Sequence, residues 1–228
     1  MLCNHRGFRE HITNQIAMVS IMKISELSLE TGAPLATIKY YLREGLLPAG
    51  ERSAPNQATY GETHVRRIHM IRALTDVGGL SVADVARVIE AIESDLPLSR
   101  AFEIAQSTVS EQVDPDSLDS EALDTVDSLL DGWGCEPDDP GRLAAARVVM
   151  NFRKAGQAAD TGWLARYADA AQLVAEADLD FVERQPDLAA QAEAVVVGTV
   201  LGDALFAALR RSAQAASTLR RYGDPGRS

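Results

Sequence analysis

The spacing of apolar and polar residues predicts two short helices near the start of the chain. Residues 23–31 carry apolar side chains at helical intervals, and the Thr-Gly-Ala-Pro sequence that follows predicts a break. In the next segment Leu35, Ile38 and Leu42 recur at positions i, i+3 and i+7, so they predict the buried stripe of a second helix. Gly45 ends this helix. Two short helices joined by a tight, glycine-containing turn are typical of a helix-turn-helix.

The rest of the sequence predicts further helices and one short region of extended chain. Residues 48–60 are polar and rich in turn-forming residues, which favours a β-hairpin or an extended loop. Apolar residues then return at helical spacing, and Ser81 is well placed to cap one of the helices. The predicted helices lie over residues 62–77, 82–92, 99–113, 120–132, 141–155, 160–184 and 187–221.

The composition favours a helical protein from a reducing compartment. The chain has 228 residues, of which 46% are hydrophobic but only 5% are aromatic, and this balance favours helices over a β-sandwich or barrel. Its two cysteines, Cys3 and Cys135, are far apart and lack metal-ligand spacing. They predict neither a disulfide scaffold nor a metal centre, so the cytoplasm is the expected location.

The charge is strongly negative but unevenly distributed. A net charge of −11 argues against a protein that coats nucleic acid with its whole surface. Residues from 97 onward hold 22 acidic and 12 basic side chains, whereas Thr37 to Arg72 holds six basic and three acidic ones. The N-terminal part therefore retains a local basic region, which is typical of a nucleic-acid contact surface.

The second helix carries an unusual set of polar groups opposite its apolar stripe. A helical wheel places Thr37, Tyr40, Tyr41 and Arg43 away from the stripe, with Lys39 on its flank. Hydroxyls and cations of this kind suit phosphate oxygens and base edges in the major groove of DNA. The alternative is an ordinary solvated helix face. The DNA-binding interpretation requires that these side chains face outward.

Residues 23–92 resemble the DNA-binding module of MerR-type transcription regulators. The matching sequences are KISELSLETGAPLATIKYYLREGLLP, a loop that closes with Tyr60, and HVRRIHMIRALTDVGGLSVADVARVI. The resemblance implies that TIKYY lies on the recognition helix, that the hairpin is a wing on the phosphate backbone, and that the next two helices support it. It implies a fold that is all-α apart from a short β-hairpin wing, with an N-terminal winged helix-turn-helix and a C-terminal helical bundle.

The resemblance also implies a set of DNA-contacting residues. Lys39 stands where the family usually has arginine, which keeps the charge but loses the bidentate fork. In the wing, Asn56-Gln57-Ala58 replaces the usual Gly-Tyr-Arg, so the wing contacts are the least secure part of the comparison. The predicted set is Thr37, Lys39, Tyr40, Tyr41, Arg43, Arg52, Gln57, Tyr60, Arg66 and Arg67.

Turn-forming and acidic segments divide the chain into four predicted parts. Residues 1–21 are an extension that we expect to be disordered, and residues 22–96 form the DNA-binding domain. Residues 97–119 are a linker and dimerisation helix. Residues 120–228 form a helical effector or dimerisation domain.

The aromatic residues of the C-terminal part indicate a candidate ligand pocket. Trp133, Trp163 and Tyr167 lie beside polar or glycine-rich positions, and with the surplus carboxylates they would suit a cationic small molecule. Alternatively, these aromatic residues are simply part of the helical core. No cofactor or metal is predicted, because a single cysteine, Cys135, cannot form a metal site and is more typical of a partly buried thiol.

The resemblance implies a homodimer that binds double-stranded DNA at an inverted-repeat promoter site, acts with RNA polymerase and responds to a small-molecule inducer. Gly198 and Gly202 permit the close approach of two helices, either within the domain or across the dimer. No membrane contact is expected, because no apolar run approaches the roughly 18 residues that a membrane helix needs. The longest such run, residues 194–202, is bounded by Glu193 and Asp203.

Two other classes of function are alternatives to a transcription regulator. An enzyme is not expected, because no catalytic motif occurs and histidine, the commonest general base, is absent after His69. A protein-interaction module, such as an anti-repressor or a DNA mimic, would use the acidic domain and would have no operator of its own.

Overall fold

The chain folds into helices linked by short turns, with one β-hairpin near the N-terminus. The structure is a computed structural model that describes residues 21–54, 57–94, 96–110, 112–157 and 160–223. The predicted extension, residues 1–21, lies outside the described residues except for Ile21.

The secondary structure follows the predicted order. A hairpin of β1 (Glu51–Ala54) and β2 (Gln57–Thr59) follows the second helix. A π-helical segment (Ala73–Val77) continues the third helix, and a 3₁₀ turn (Pro115–Ser117) precedes the sixth. The helices of the described residues are α1 (Ile24–Thr31), α2 (Leu35–Arg43), α3 (Glu62–Arg72), α4 (Val82–Glu93), α5 (Leu98–Val109), α6 (Ser120–Leu129), α7 (Pro140–Lys154), α8 (Thr161–Glu183) and α9 (Leu188–Tyr222). The predicted fold class, all-α apart from a short β-hairpin, is confirmed.

The described residues form two compact units that divide within α3. The N-terminal unit comprises the residues up to Arg43 together with Leu47–Ile68, and the C-terminal unit comprises Glu44–Leu46 together with the residues from His69 onward. This division does not coincide with the predicted limits at residues 96 and 119. Those limits remain a prediction.

Hydroxyl groups fix the turn between α1 and α2. Gly32 ends α1 with φ 64°, a left-handed conformation that favours glycine. The Thr31 hydroxyl donates to the Leu27 carbonyl at 2.7 Å and accepts from the Ala33 N–H at 3.3 Å. The Ser28 hydroxyl donates to the Ala33 carbonyl at 2.6 Å. These bonds satisfy backbone groups that a buried turn would otherwise leave unpaired, so the angle between the two helices is set locally.

The hairpin is anchored at its base. Its strands pair Glu51 with Thr59 and Arg52 with Ala58 in an antiparallel ladder. Two backbone hydrogen bonds of 2.9 Å join Tyr60 to Met22, the residue that leads into α1. Gly50 precedes the first strand, and a Cβ there would lie 2.6 Å from the Thr59 carbonyl oxygen and 2.8 Å from the Tyr60 ring. Glycine is therefore needed where the chain enters the hairpin.

The C-terminal unit is built around α5, α8 and α9, with α6 and α7 packed as a pair beside them. The pair α6 and α7 buries a cluster of small and medium apolar residues: Ala122, Val126, Ala146, Val149 and Met150. The π-helical segment ends against α9, where a Cβ on Gly78 would lie 2.2 Å from Val200 Cγ1. Close packing at this point requires the absence of a side chain.

Many of the acidic residues cap helices. Asp119 accepts from the Ala122 N–H at 2.8 Å, Asp139 from the Arg142 N–H at 2.7 Å, and Asp187 from the Ala190 N–H at 2.9 Å. A carboxylate at a helix N-terminus satisfies a free N–H and interacts favourably with the helix dipole. Part of the negative charge therefore has a structural role.

Helix α9 is long and apolar enough to cross a membrane, judged by length and composition alone. The sequence prediction counted only uninterrupted apolar residues, whereas this criterion allows up to two charged residues in the apolar window, so the absence of membrane contact stays a prediction. A core helix of a globular protein meets the same criterion. In this structure α9 packs along α4, α5 and α8.

Candidate nucleic-acid interface and aromatic cavity

The two adjacent tyrosines of α2 point in different directions. Tyr41 is only 7% exposed and lies with Ile38 on the buried side of the helix. Tyr40 is partly exposed, and Leu35, predicted to be buried, is 42% exposed. The prediction that Tyr41 faces solvent was wrong. Residues three apart share a helix face, so the buried stripe runs through Ile38 and Tyr41, and Leu35 lies at its exposed end.

The outward side of α2 nevertheless keeps most of its predicted groups. Lys39 and Arg43 are exposed, and Thr37 is partly exposed. The Arg43 guanidinium lies over the Tyr40 ring, 5.1 Å from its centroid. This cation–π contact holds a cation and a phenol side by side at the C-terminal end of the helix. We call Thr37, Lys39, Tyr40 and Arg43 the α2 face.

The wing contributes a smaller set of groups than predicted. Arg52 and Gln57 are exposed on the two strands. Tyr60 is 5% exposed, and its ring meets His64 edge-on with 5.2 Å between centroids. The prediction of Tyr60 as a surface contact was therefore wrong, because its ring fills the base of the hairpin beside Gly50. Asn56 lies outside the described residues.

Helix α3 begins beside the wing with two arginines of different exposure. Arg66 is exposed, whereas Arg67 is half-buried. The start of the helix is held by a 3.1 Å hydrogen bond from the Gly61 N–H to His64 Nδ1. Of the two cations, Arg66 is the one placed to reach a partner in solvent.

The three aromatic residues predicted for a ligand pocket line one cavity in the C-terminal unit. The cavity has a volume of about 840 Å³, and Trp133, Trp163 and Tyr167 all line it. The Trp163 ring lies 4.8 Å from that of Tyr167 and 5.3 Å from that of Phe152, measured between centroids. The three predicted residues are 36–44% exposed, so the alternative that they are core residues was wrong. We call this space the aromatic cavity.

Several polar groups also line the aromatic cavity. The Arg142 guanidinium is held by Asp127, with Nε–Oδ1 and Nη2–Oδ2 distances of 2.6 and 2.8 Å, and it also donates to the Pro137 carbonyl at 2.7 Å. This pairing lowers the pKa of Asp127 below its usual range. Arg210 on α9 donates to the Tyr167 hydroxyl at 3.3 Å. Arg142 is thus fixed in place, while Arg210 makes a long bond to a neutral partner.

Cys135 lies at the edge of this cavity and differs from its predicted state. The residue is exposed rather than partly buried. Desolvation of its sulfur, together with the nearby Asp139 carboxylate, raises the pKa of its thiol. A raised pKa keeps the thiol protonated at neutral pH and lowers its reactivity.

Comparisons with known proteins were consistent with the N-terminal geometry. The family described as "MerR HTH family regulatory protein" matches residues 22–92. The chain is 31% identical to the nodulation protein NolA of Bradyrhizobium diazoefficiens over 114 residues, which are 47% of this chain and 48% of that protein. It is 29% identical to the mercuric resistance operon regulatory protein of Bacillus cereus over 73 residues, 32% of this chain and 54% of that one. The chain therefore spans about half the length of these curated relatives.

A solved structure matches over much more of the chain. The crystal structure of the candidate transcriptional regulator SCO5550 from Streptomyces coelicolor A3(2) is 34% identical and superposes with a TM-score of 0.68. The match covers 89% of this chain and 99% of that one, so it includes the C-terminal helices as well as the helix-turn-helix. On the family match, the sequence identities and this structural likeness, the chain belongs to the MerR family of helix-turn-helix regulatory proteins.

Proposed function

We propose that this protein is a transcription regulator that binds double-stranded DNA through the α2 face. The observation that carries the proposal is the pairing of Arg43 with Tyr40 on the outward side of α2, the second helix of the helix-turn-helix. In this arrangement the second helix enters the major groove. A guanidinium and a phenol hydroxyl at its surface supply donors for phosphate oxygens and base edges.

The wing and α3 extend the proposed surface. Arg52 and Gln57 on the hairpin supply a cation and an amide, and Arg66 supplies a further cation. Contacts of this kind with the phosphate backbone set the position of the protein on the duplex without reading its sequence. We assign Tyr41 and Tyr60 a different role, because their buried rings support the helix and the hairpin from inside.

We further propose that the protein acts as a homodimer on an inverted-repeat promoter site, together with RNA polymerase. A two-fold symmetric protein binds a two-fold symmetric site, with one recognition helix for each half-site. Helix α9 supports self-association, because its C-terminal half exposes Leu205, Phe206 and Leu209. No neighbouring atom lies within 4 Å of a Cβ built on Gly198. Gly198 thus leaves room for a partner helix, whereas a Cβ on Gly202 would lie 4.0 Å from Asp178 Oδ2 of the same chain, so both predicted uses of the pair stay open.

A small organic ligand is the proposed signal. The aromatic cavity lies in the C-terminal unit and falls within the size range of ligand pockets, about 300–1,000 Å³. The family membership supports a regulatory role. The Bacillus cereus relative is named as a regulator of mercuric resistance. We do not extend mercury to this chain, because its two cysteines, Cys3 and Cys135, are far apart in sequence.

The first step of the test is to select DNA fragments that the protein binds from a genomic library of its source organism. Affinity for a selected fragment is then measured by fluorescence anisotropy for the full chain and for Tyr40→Ala and Arg43→Ala. Each substitution is expected to cost about 1–3 kcal/mol of binding free energy without loss of helicity. If the Arg43 guanidinium contacts a phosphate, the DNA affinity of Arg43→Ala should also depend less steeply on salt, by about one released counterion.

The matched control is Arg87→Ala. Arg87 lies on α4, is paired with Asp84 at 3.4 Å and is not part of the proposed surface, but its replacement removes the same charge. Unchanged binding by both α2 variants, or an equal loss in the control, would contradict the assignment of the α2 face. Failure to select any DNA would instead favour a protein-interaction module.

A further inference from the structure

We propose that the aromatic cavity binds a planar aromatic molecule carrying an anionic group, and that Arg210 is the cation that pairs with it. The inference rests on the proposed function, because it names the chemical class of the regulatory ligand. It departs from the expectation of a cationic ligand, which was based on the acidic composition of the C-terminal part.

The walls of the cavity suit an aromatic ring. Phe152, Trp163 and Tyr167 form a row of rings with 5.3 and 4.8 Å between successive centroids, and Trp133 also lines the cavity. Aromatic pairs at such distances stabilise one another by offset or edge-on contacts, and a bound ring adds to the row in the same way. These rings remain 36–44% exposed, so a ligand would remove substantial apolar surface from water.

The charged side chains that line the cavity favour an anion. They are Arg142, Arg210 and Asp139, and the charge of Arg142 is already balanced by its bidentate pair with Asp127. One oxygen of Asp139 accepts from the backbone N–H of Arg142, so this carboxylate is engaged at the start of α7. Among the described residues, Arg210 is therefore the lining cation that has no ion pair, and it favours an anionic group at its end of the cavity.

Arg210 differs from Arg142 in its partners. Arg142 is held in a bidentate pair with Asp127. Among the residues that the structure describes, Arg210 forms no ion pair, and its hydrogen bond to the Tyr167 hydroxyl is 3.3 Å long. A guanidinium has five N–H donors in a planar fork that matches a carboxylate or sulfonate. Its place beside Tyr167 brings this fork to the end of the aromatic row.

The chain itself provides the reporter for a binding experiment. It has two tryptophans, Trp133 and Trp163, and both line the aromatic cavity. Tryptophan emission of the full chain is titrated with three probes of similar shape: naphthoate, which is anionic, naphthalenemethanol, which is neutral, and naphthylmethylammonium, which is cationic. We expect saturable quenching with naphthoate, weaker binding of the alcohol, and the weakest binding of the ammonium compound.

The variant Arg210→Gln tests the role of the guanidinium. It should weaken naphthoate binding about tenfold, the factor expected for the loss of one charged hydrogen bond, and leave naphthalenemethanol binding unchanged. Arg211→Gln is the matched control, because Arg211 is the next residue of α9 and does not line the cavity. Circular dichroism and the melting temperature confirm that both variants are folded.

Three outcomes would overturn the proposal. They are tighter binding of the ammonium compound than of naphthoate, an equal effect of the two substitutions, and no quenching by any probe. If no probe binds and tryptophan emission instead changes as the chain dimerises, a second copy covers the cavity. DNA affinity is measured on the same samples without probe. Naphthoate binding without DNA binding would refute the regulatory function alone. DNA binding without naphthoate binding would refute the ligand class alone.

Discussion

Helices α2 and α9 both expose much of their surface, but the exposed side chains differ in kind. Helix α2 buries Ile38 and Tyr41 and presents cations and a phenol to solvent. Helix α9 buries residues only in its first half, and beyond Val200 it exposes large apolar side chains such as Leu205 and Leu209. A polar face identifies its partner by its chemistry. An apolar face of the same exposure indicates only that something covers it.

This difference determines how far the exposed side of each helix identifies its partner. The α2 face combines donors and positive charge, which nucleic acid matches and few other partners do. The apolar face of α9 suits a second copy of the chain, another protein or a lipid surface. Only the charged groups beside this face, such as Arg210, help to distinguish among these three kinds of partner. The exposed sides of α2 and α9 can be tested separately.

The largest effect is expected at Tyr41. Replacement of a buried aromatic residue by alanine removes its transfer free energy and leaves a cavity, so Tyr41→Ala should lower the free energy of unfolding of the N-terminal unit by about 3 kcal/mol. Hydrogen exchange of the α1 and α2 amides would measure the loss. Tyr40→Ala is the control, since a partly exposed neighbour should cost less than about 1 kcal/mol. If the amide protection of Tyr41→Ala stayed as high as that of Tyr40→Ala and of the native chain, the Tyr41 ring would face solvent.

The next effect concerns the packing of Gly78 against α9. A Cβ at this position would lie 2.2 Å from Val200 Cγ1 and 2.7 Å from the Leu74 carbonyl oxygen, so Gly78→Ala should destabilise the C-terminal unit by about 2 kcal/mol. Tryptophan emission during urea unfolding reports on this unit. Gly162→Ala is the control, because its Cβ would meet only Asp160 at 3.6 Å. If Gly78→Ala were neutral, the π-helical segment and α9 would not be in close contact.

A smaller effect tests the exposed side of α9 near Gly198. Gly198→Leu fills space that is empty in the single chain, so it should leave the fold intact and weaken dimerisation by about 1 kcal/mol through overpacking of the interface. Sedimentation velocity over a range of concentrations measures the change. Ala216→Leu, nearer the exposed end of the helix, is the control for added volume. An unchanged dimerisation equilibrium in the Gly198 variant would mean that the dimer interface lies in another part of the chain.

The order of the elements was readable from the sequence because local signals set it. Ser81 was expected to cap α4, and its hydroxyl accepts from the Asp84 N–H at 3.2 Å. The two tyrosines show where such signals end. Tyrosine has an apolar ring and a polar tip, so a helical wheel alone cannot decide which of Tyr40 and Tyr41 is buried. That choice depends on the elements packed against α2.

The aromatic cavity was predicted only in part for a related reason. Trp163 and Tyr167 are four residues apart on a single helix, so their proximity follows from helical spacing. Arg210 is 43 residues from Tyr167 and reaches it only because α9 packs beside α8. No sequence pattern links the two positions. The chemical class of the ligand, which depends on Arg210, therefore required the tertiary structure.

The smallest effect concerns two carboxylates at the contact of α8 with α9. Desolvation of its carboxyl and, secondarily, the charge of Asp178 raise the pKa of Asp203 above its usual range, although the residue as a whole keeps exposed surface. Desolvation likewise raises the pKa of Asp178, which is also exposed on α8. A carboxyl whose pKa is raised by folding binds its proton more tightly in the folded state. Its favourable contribution is complete below the unfolded pKa of about 4 and is lost as the pH rises through the folded pKa.

Asp203→Asn removes this dependence, since the amide stays neutral at every pH. The variant should melt slightly above the native protein at neutral pH, and the difference should shrink as the pH falls toward about 4, where the native carboxyl is also neutral. Asp180→Asn, an exposed position on α8, controls for the change in net charge. A gain that is the same at both pH values would mean that Asp203 is fully hydrated. The contact of α8 with α9 at Asp178 and Asp203 would then be open to water in solution.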